Sequence, residues 1–200
     1  MDACGLGALR SGAPGYEQEF RLIKGDQTFW LHERVSITSS QSGQWDLVGI
    51  TIDTTELKKT HEEMAQKEAF LRFIFEHAPV GISWALPDDV ASHIVNPEHV
   101  RITGVSAEDS KLPGAFARVT HPEDHARQQA LVKKFVSGEI DEFFLEKRYL
   151  HPDDGVVWAA FTSRMFVDPA TGKKQVVTTM IDITELKKTQ EEMARREALY

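Results

Sequence analysis

Hydrophobic and polar residues alternate along two blocks of this chain, and each block contains three alternating segments separated by polar turns. The segments of the first block are residues 19–23, 28–37 and 45–52. Those of the second block are residues 142–150, 156–167 and 175–183. Alternation with a period of two, together with many β-branched and aromatic residues, is typical of antiparallel strands. The pattern therefore predicts three strands in each block, with the polar stretch 38–44 as a turn in the first.

The two blocks end in nearly the same sequence. Residues 52–69 and 181–198 are identical at 14 of 18 positions, and the second copy lies 129 residues after the first. A repeat with so long a period indicates tandem domains, because each unit is long enough to form a core of its own. The alignment pairs Arg21 with Arg148, Trp30 with Trp158, and Asp53 with Asp182.

Only the second block is preceded by further predicted elements. These are strand-like segments at 80–84 and 93–95, short helical turns at 97–102 and 107–111, and a longer helix at 122–135. Pro122 near the start of that helix and Gly138 just past its end fit the usual helix boundaries. The first block has only fifteen residues before Tyr16. We therefore expect residues 69–187 to form a complete domain and residues 1–56 to be the C-terminal half of another.

A connecting helix is predicted to begin at Asp53-Thr54-Thr55-Glu56 and to run to about Phe75. Thr54 or Thr55 is suited to cap its first turn, because a hydroxyl there can accept a bond from a free backbone N–H. Apolar residues recur at heptad spacing in both copies, as Leu57, Met64 and Leu71 and as Leu186 and Met193. Two interpretations stay open for residues 57–68, a solvated linker helix or a parallel coiled coil between two chains. Residues 188–200 are expected to begin an output helix.

Composition and charge argue against several classes of protein. The chain has 23 basic and 31 acidic residues, a net charge of −8 and no long basic run, which argues against a nucleic-acid partner. Cys4 is the only cysteine, so an intrachain disulfide and a thiolate zinc cluster are excluded. The sequence shows no signal peptide and no apolar run of the roughly 18–20 residues that a membrane span needs. These features predict a cytoplasmic protein.

Five short motifs in the second block resemble those of PAS sensor domains with their C-terminal PAC segment. They are, in order, 75–82, 95–98 with 102–108, His121-Pro122-Glu123-Asp124, Asp154-Gly155 with Trp158, and Asp182-Ile183-Thr184. Each motif is weak alone, but their order over residues 69–187 is specific. The first block resembles only the PAC half, through Arg21, Gly25, Trp30 and Asp53-Thr54-Thr55, with Thr54 in place of the usual isoleucine.

The resemblance implies an α+β fold in which a five-stranded antiparallel sheet carries short helices on one face, often with a small-molecule cavity between them. It also implies a place in a larger signalling protein, usually a histidine kinase of a two-component system or a diguanylate cyclase. The chain itself is not expected to be an enzyme, because it has no Gly-rich phosphate loop, no nucleophile elbow and no His-Glu-x-x-His motif.

The last of these motifs, Asp182-Ile183-Thr184, is called the exit motif here because it ends the last predicted strand. It gives the strongest functional prediction. In the family this motif couples the sheet to an output helix, and a carboxylate with a hydroxyl also suits the turn from strand to helix. Capping alone, without signalling, is the simpler interpretation. Arg148 or Trp158 is the expected partner of Asp182. The predicted coupling residues are Asp182, Thr184, Asp53, Thr55, Trp158 and Arg148.

The cofactor is left open by the sequence. The resemblance implies that covalent flavin photochemistry needs a cysteine near 96–106, and c-type haem needs Cys-x-x-Cys-His, so both are excluded. Noncovalent haem would need an axial histidine such as His125, which with His121 at i,i+4 is also a weak metal-site candidate. Noncovalent flavin or a small organic ligand would use a predicted pocket of Trp84, Asn96, Phe116, Phe144, Trp158, Phe161 and Met180. The alternative is that these aromatic residues fill the core, Asn96 caps a helix and His125 faces solvent.

Two hypotheses of different classes follow. In the first, the chain is a sensory ligand-binding module that alters its exit helix; in the second, it is a ligand-free dimerisation and relay module. The partners expected are a second copy of the chain and an output domain further along the same polypeptide. A homodimer is expected because the half domain leaves a sheet edge open.

Overall fold

The computed structural model of the protein describes residues 3–39 and 44–198, so residues 40–43 of the predicted turn lie outside the described part. The chain divides into two compact units, Met1–Phe70 and Leu71–Tyr200. The helix α2, Thr55–His77, contains the boundary between them.

The first unit is a three-stranded antiparallel sheet with one short helix. Its elements are α1 (Ala3–Ser11), β1 (Gly15–Lys24), β2 (Gln27–Ser39) and β3 (Trp45–Asp53), and the strand order is β1-β2-β3. The hairpin between β1 and β2 turns at Gly25, whose φ of 61° is the left-handed conformation that glycine adopts without strain. A small core of Ala8, Val35 and Ile37 joins α1 to the sheet. The sequence analysis predicted the three strands but not α1.

The helix α2 agrees closely with the predicted connecting helix. It begins at Thr55, one of the two residues expected to cap it, and ends at His77, two residues after the expected end at Phe75. Its three heptad residues are more than half exposed, at 57% for Leu57, 56% for Met64 and 64% for Leu71. Among the described residues, this apolar stripe is therefore exposed along α2.

The second unit is a five-stranded antiparallel sheet with the strand order β5-β4-β8-β7-β6, which confirms the predicted fold class. Its strands are β4 (Gly81–Leu86), β5 (Asp89–Val95), β6 (Glu142–His151), β7 (Gly155–Val167) and β8 (Lys174–Asp182). Its helices are α3 (Pro97–Thr103), a 3₁₀ turn (Asp109–Lys111), α4 (Ala115–Val119), α5 (Pro122–Ser137) and α6 (Thr184–Glu197). The predicted helical turn at 107–111 is thus shorter than expected, and α4 was missed because five residues give too little periodicity to detect.

The two faces of this sheet differ because side chains alternate along each strand. The inner face contributes Phe143, Leu145, Val157 and Phe161 to the core, where they pack with residues of α3 and α5. The outer face leaves Phe144 60% exposed. The inner side of the sheet also lines a cavity, since Phe143 and Phe161 contribute to its wall.

Candidate functional site

The turn from β8 into α6 is fastened to the backbone of a neighbouring strand. The ladder between β7 and β8 ends at the pair Ala159–Asp182. Beyond it, the N–H of Ile183 donates to the Trp158 carbonyl at 2.8 Å, and the Trp158 N–H donates to the Thr184 hydroxyl at 3.0 Å. Asp182 completes the turn by accepting a bond from the Thr184 N–H at 2.9 Å. The predicted coupling motif therefore satisfies the first N–H of α6 and extends the sheet by one residue.

The first unit has the same arrangement where β3 leads into α2. The Thr54 N–H donates to the Trp30 carbonyl at 2.8 Å, and the Trp30 N–H donates to the Thr55 hydroxyl at 2.9 Å. Asp53 accepts bonds from both the N–H and the hydroxyl of Thr55. Thr54 occupies the position of Ile183 in the second unit, and its backbone N–H makes the same bond.

Each tryptophan ring also lies within about 5.5 Å of two cations. In the second unit, Arg148 of β6 and Lys187 of α6 lie 5.2 and 5.3 Å from the Trp158 ring centre. In the first unit, Arg21 and Lys58 lie 5.4 and 4.6 Å from the Trp30 ring centre. Cation–π attraction at such sites contributes about 0.5–1 kcal/mol. The exit helix is thus tied to the sheet by a side-chain contact as well as by backbone bonds.

The partner of Asp182 differs from the one expected. Its second oxygen accepts a bond from Arg101 of α3 at 3.2 Å, rather than from Arg148 or the Trp158 side chain. Burial raises the pKa of Asp182, but the bonds from Thr184 and Arg101 outweigh it and hold the pKa below its usual value. The correction follows from register, because Asp182 pairs with Ala159 and has the inward orientation of Met180, towards α3.

Arg148 instead fastens β6 to the start of α5. Its guanidinium donates to both oxygens of Asp124, at 2.9 and 3.0 Å, and to Glu123 at 2.8 Å. Asp124 also accepts the Arg148 backbone N–H at 2.8 Å. The hydrogen bonds from Arg148 lower the pKa of Asp124 despite its burial. The helix-start motif therefore serves to anchor α5 on the sheet.

A cavity of about 130 Å³ lies between the inner face of the sheet and the helices. Three of the predicted pocket residues line it, namely Phe116, Phe161 and Met180. The polar residues that line it were not predicted; they include His93, His99, Gln128, Lys147, Tyr149 and Ser163. A second, more apolar pocket of about 330 Å³ shares Phe116, Phe143 and Ser163 with the first, so the two adjoin.

Lys147 is the unusual group of this cavity. It is 1% exposed, and its ammonium donates to the Thr120 hydroxyl at 2.9 Å and to the Gln128 amide oxygen at 2.8 Å. Within residues 3–39 and 44–198 it makes no ion pair. Burial lowers the pKa of Lys147 to about 7, although the charge of Asp124 acts in the opposite direction.

His99 is the second buried titratable group. It is 2% exposed, and its Nδ1 has no hydrogen-bond partner. Burial, with smaller contributions from His93 and Lys147, lowers the pKa of His99 to about 4. His93 lies nearby with its Nδ1 3.1 Å from the Ser110 carbonyl oxygen, and burial lowers its pKa as well. Both rings contact Phe116 edge to face.

The other predicted pocket residues lie elsewhere. Trp84 points to the outer face and donates to Gln175 at 2.8 Å. Phe144 and Trp158 line a groove on that same face, and His125 lines a groove on the surface of α5. Alternation along the strands explains why Trp84, Phe144 and Trp158 face outward. Each directly follows a residue that is buried on the inner face.

Asn96 is fully buried but has no free polar atom for a ligand. Its amide oxygen accepts bonds from the N–H groups of Ile82 and His99, and its amide nitrogen donates to the carbonyls of Phe75 and Val80. Asn96 therefore caps α3 and joins it to β4 and the end of α2. His121 likewise caps α5. Within the described ranges, no three metal-ligating side chains come together.

Glycine at position 81 allows α3 to lie directly on the sheet. A Cβ atom there would lie 2.5 Å from the Met180 side chain and 3.0 Å from the His99 Cα.

Among the helices that the structure describes, none is long and apolar enough to cross a membrane.

Comparison with known proteins agrees with this architecture. Residues 93–180 match the family model described as PAS fold. The probable diguanylate cyclase DgcE of Escherichia coli (strain K12) is 28% identical over 132 residues, which is 65% of this chain and 12% of that protein. The chain thus spans about an eighth of the length of that relative.

Two solved structures align with this chain, and the first, with a TM-score above 0.5, shows the same fold. The structure of an RNA-binding Light-Oxygen-Voltage receptor aligns over 98% of this chain and 85% of its own, with a TM-score of 0.54 and 10% identity. A sensory box histidine kinase/response regulator from Burkholderia thailandensis E264 aligns over 64% of this chain and 96% of its own, with a TM-score of 0.47 and 22% identity.

Proposed function

Since the second unit of this chain is a PAS domain, the sensor fold of signalling proteins, we propose that the chain is a non-catalytic sensory module that couples its core to the helix α6. The state of the cavity would set how firmly the start of α6 is held. A cavity lined by polar groups favours this function over a relay whose pocket is filled by side chains.

The observation that carries the proposal is that two elements extend from the cavity to the exit turn. The helix α3 places His99 in the cavity wall and Arg101, two residues on, against Asp182. The strand β8 places Met180 in the same wall and Asp182 two residues on. A shift of α3 or β8 would therefore change the Arg101–Asp182 ion pair directly.

The exit turn can transmit such a change because its atoms are shared. Asp182 bonds both Arg101 and the N–H of Thr184, and Thr184 bonds Trp158. Weakening the Arg101–Asp182 bond would free Asp182 to reorient and would loosen the first turn of α6. Neutral and charge-assisted bonds of this kind contribute about 1–3 kcal/mol each, enough to shift a local equilibrium severalfold.

We also propose that the chain acts as a homodimer within a larger protein. The heptad residues Leu186 and Met193 of α6 are 55% and 62% exposed, and their counterparts Leu57 and Met64 on α2 are 57% and 56% exposed. Two parallel copies of these helices would bury the stripes in a coiled coil. We propose that the output domain is a diguanylate cyclase, as the name of the relative suggests, or a histidine kinase.

The experiment that tests the coupling is hydrogen–deuterium exchange on the 200-residue chain. Asp182→Asn weakens the bonds to Arg101 and Thr184 at once, and we expect faster amide exchange in the first two turns of α6 and in α3. Asp53→Asn is the matched control, because Asp53 caps α2 in the first unit without bonding a helix such as α3. Exchange in α6 that is the same in Asp182→Asn and wild type would overturn the proposal.

A further inference from the structure

We propose that the cavity of the second unit binds a small organic monoanion, a carboxylate with an apolar body, whose charge pairs with Lys147. This inference deepens the sensory function proposed above and rests on it for its biological meaning. The binding itself rests on the geometry of the cavity.

Among the described residues, Lys147 has no ion-pair partner. The Lys147 ammonium is buried, and its two hydrogen-bond acceptors, the Thr120 hydroxyl and the Gln128 amide oxygen, are both neutral. Asp124 acts on this charge without pairing with it, and the ammonium otherwise faces the rings of Tyr149 and Phe161, at 4.2 and 5.3 Å from their centres. An ammonium has three N–H donors, and a buried charge without a paired opposite charge is strongly disfavoured. A carboxylate in the cavity would supply both the third acceptor and the negative charge.

The rest of the described cavity wall carries no acidic side chain. The described residues that line the two adjoining pockets include no aspartate or glutamate, although the chain as a whole carries a net charge of −8. The titratable groups there are His93, His99, Tyr149 and Lys147. Such a wall favours an anion over a cation and, because it holds a single ammonium, favours one negative charge over two.

The cavity wall also contains His99, one of whose ring nitrogens is unpartnered. Its Nδ1 is buried and has no hydrogen-bond partner, whereas buried polar atoms are satisfied in the large majority of cases. In the tautomer that carries a proton on Nδ1, this atom would donate to a ligand oxygen. The hydroxyls of Ser163 and Thr178, which bond each other at 2.8 Å, lie on the same wall.

The shape of the cavity sets the rest of the ligand. The polar chamber of about 130 Å³ has room for a carboxylate and a few further atoms. The adjoining pocket of about 330 Å³ is lined by apolar side chains such as Leu112, Val132 and Met165. A ligand with its carboxylate at Lys147 and a hydrocarbon body in the outer pocket would match both parts. Contact with His99 would then act on α3, two residues from Arg101.

The test uses sodium octanoate as the probe, with 1-octanol and octylammonium chloride as neutral and cationic analogues of equal length. Isothermal titration calorimetry on the 200-residue chain should show octanoate binding at least tenfold more tightly than either analogue. Lys147→Met should abolish that preference. Phe144→Ser, on the outer face, should leave it unchanged. Equal binding of all three compounds, or binding of none, would overturn the proposal.

A second measurement keeps the proposal testable if Lys147→Met does not fold. An anion raises the pKa of Lys147, so octanoate binding to wild type at pH 8 should take up protons, visible as a heat that depends on the buffer. The groups that face Lys147 are His93, His99, Tyr149 and, from α5, Asp124. Binding without proton uptake would exclude Lys147 as the anion partner. The coupling test with Asp182→Asn needs no ligand, so either proposal can fail while the other stands.

Discussion

The hydroxyl of Thr184 accepts a hydrogen bond from the backbone N–H of Trp158 at 3.0 Å, across the junction between the sheet and the exit helix. The first unit repeats this bond between Thr55 and Trp30 at 2.9 Å. The bond satisfies a strand N–H that lies just beyond the last ladder pair, and buried backbone groups of this kind need a partner. The repeated threonine therefore has a structural role as well as the proposed signalling role.

Replacing Thr184 by valine tests that role. Thr184→Val keeps the shape of the side chain but removes the acceptor, so the Trp158 N–H loses its partner. We expect the free energy of unfolding of the second unit to fall by about 1–2 kcal/mol in urea denaturation. Thr184→Ser retains the hydroxyl and should recover most of that loss.

The internal repeat supplies the control for this experiment. Thr55→Val makes the same change in the first unit, where the hydroxyl also donates to Asp53. It should destabilise the β3–α2 junction while leaving amide hydrogen–deuterium exchange in α6 unchanged. A second unit as stable with valine as with threonine at position 184 would contradict the role given to this bond.

The exit turns could be predicted from the sequence, whereas the partner of Asp182 could not. The strands and both exit turns follow from alternation and from the repeat, which are local patterns. The partner of Asp182 does not, because Arg101 is 81 residues away and reaches it only through the packing of α3. No local rule specifies such a contact.

The cavity shows the same limit. Alternation places position 147 on the inward face with Phe143, Leu145 and Tyr149, so a lysine there was a signal that sequence reasoning could have used. What surrounds its ammonium could not be predicted, since Gln128 comes from a helix and Thr120 from the segment before it. The same alternation would have excluded Phe144 from the pocket.

Asp124 is expected to be important for stability. It is 9% exposed and accepts bonds from the Arg148 backbone and guanidinium. Asp124→Asn leaves the half-buried guanidinium without its main counter-charge, so the unfolding free energy should fall by about 2–4 kcal/mol in urea denaturation. Glu123→Gln is the matched control, because Glu123 bonds the same arginine from an exposed position and should cost less than about 1 kcal/mol. Equal losses for the two variants would count against this assignment.

His99 should weaken the fold in mild acid. Its pKa is about 4 in the folded chain against a usual value of 6.5, so between these values the unfolded chain binds more protons. Stability should therefore fall as the pH drops from 6.5 to 4, by up to about 3 kcal/mol from this group. His99→Leu should flatten that part of the profile, whereas His125→Gln, outside the cavity, should not. Parallel profiles for wild type and His99→Leu would show that another group is responsible.

The proposed homodimer makes a prediction about the exposed heptad stripes. Met64→Glu and Met193→Glu place a charge in each proposed seam, and like charges facing each other across a coiled coil disfavour association. We expect the dimer mass seen by multi-angle light scattering to shift towards the monomer in the double variant. Glu63→Gln, one position outside the stripe, should remain dimeric. A strict monomer for wild type at high concentration would refute the dimer.

Lys147 should make the stability of the second unit depend on pH above pH 7. Its pKa is about 7 in the folded chain against 10.5 for a free lysine, so between these values the folded state binds fewer protons than the unfolded state. Stability from this group should therefore rise with pH, by about 3 kcal/mol between pH 7 and 9.5. Lys147→Met replaces the ammonium by an apolar group of similar shape, so the rise should disappear and stability at pH 7 should be unchanged or higher. Lys133→Met, which removes an exposed charge, should keep the rise, and a rise that persists in Lys147→Met would show that the buried ammonium is not its source.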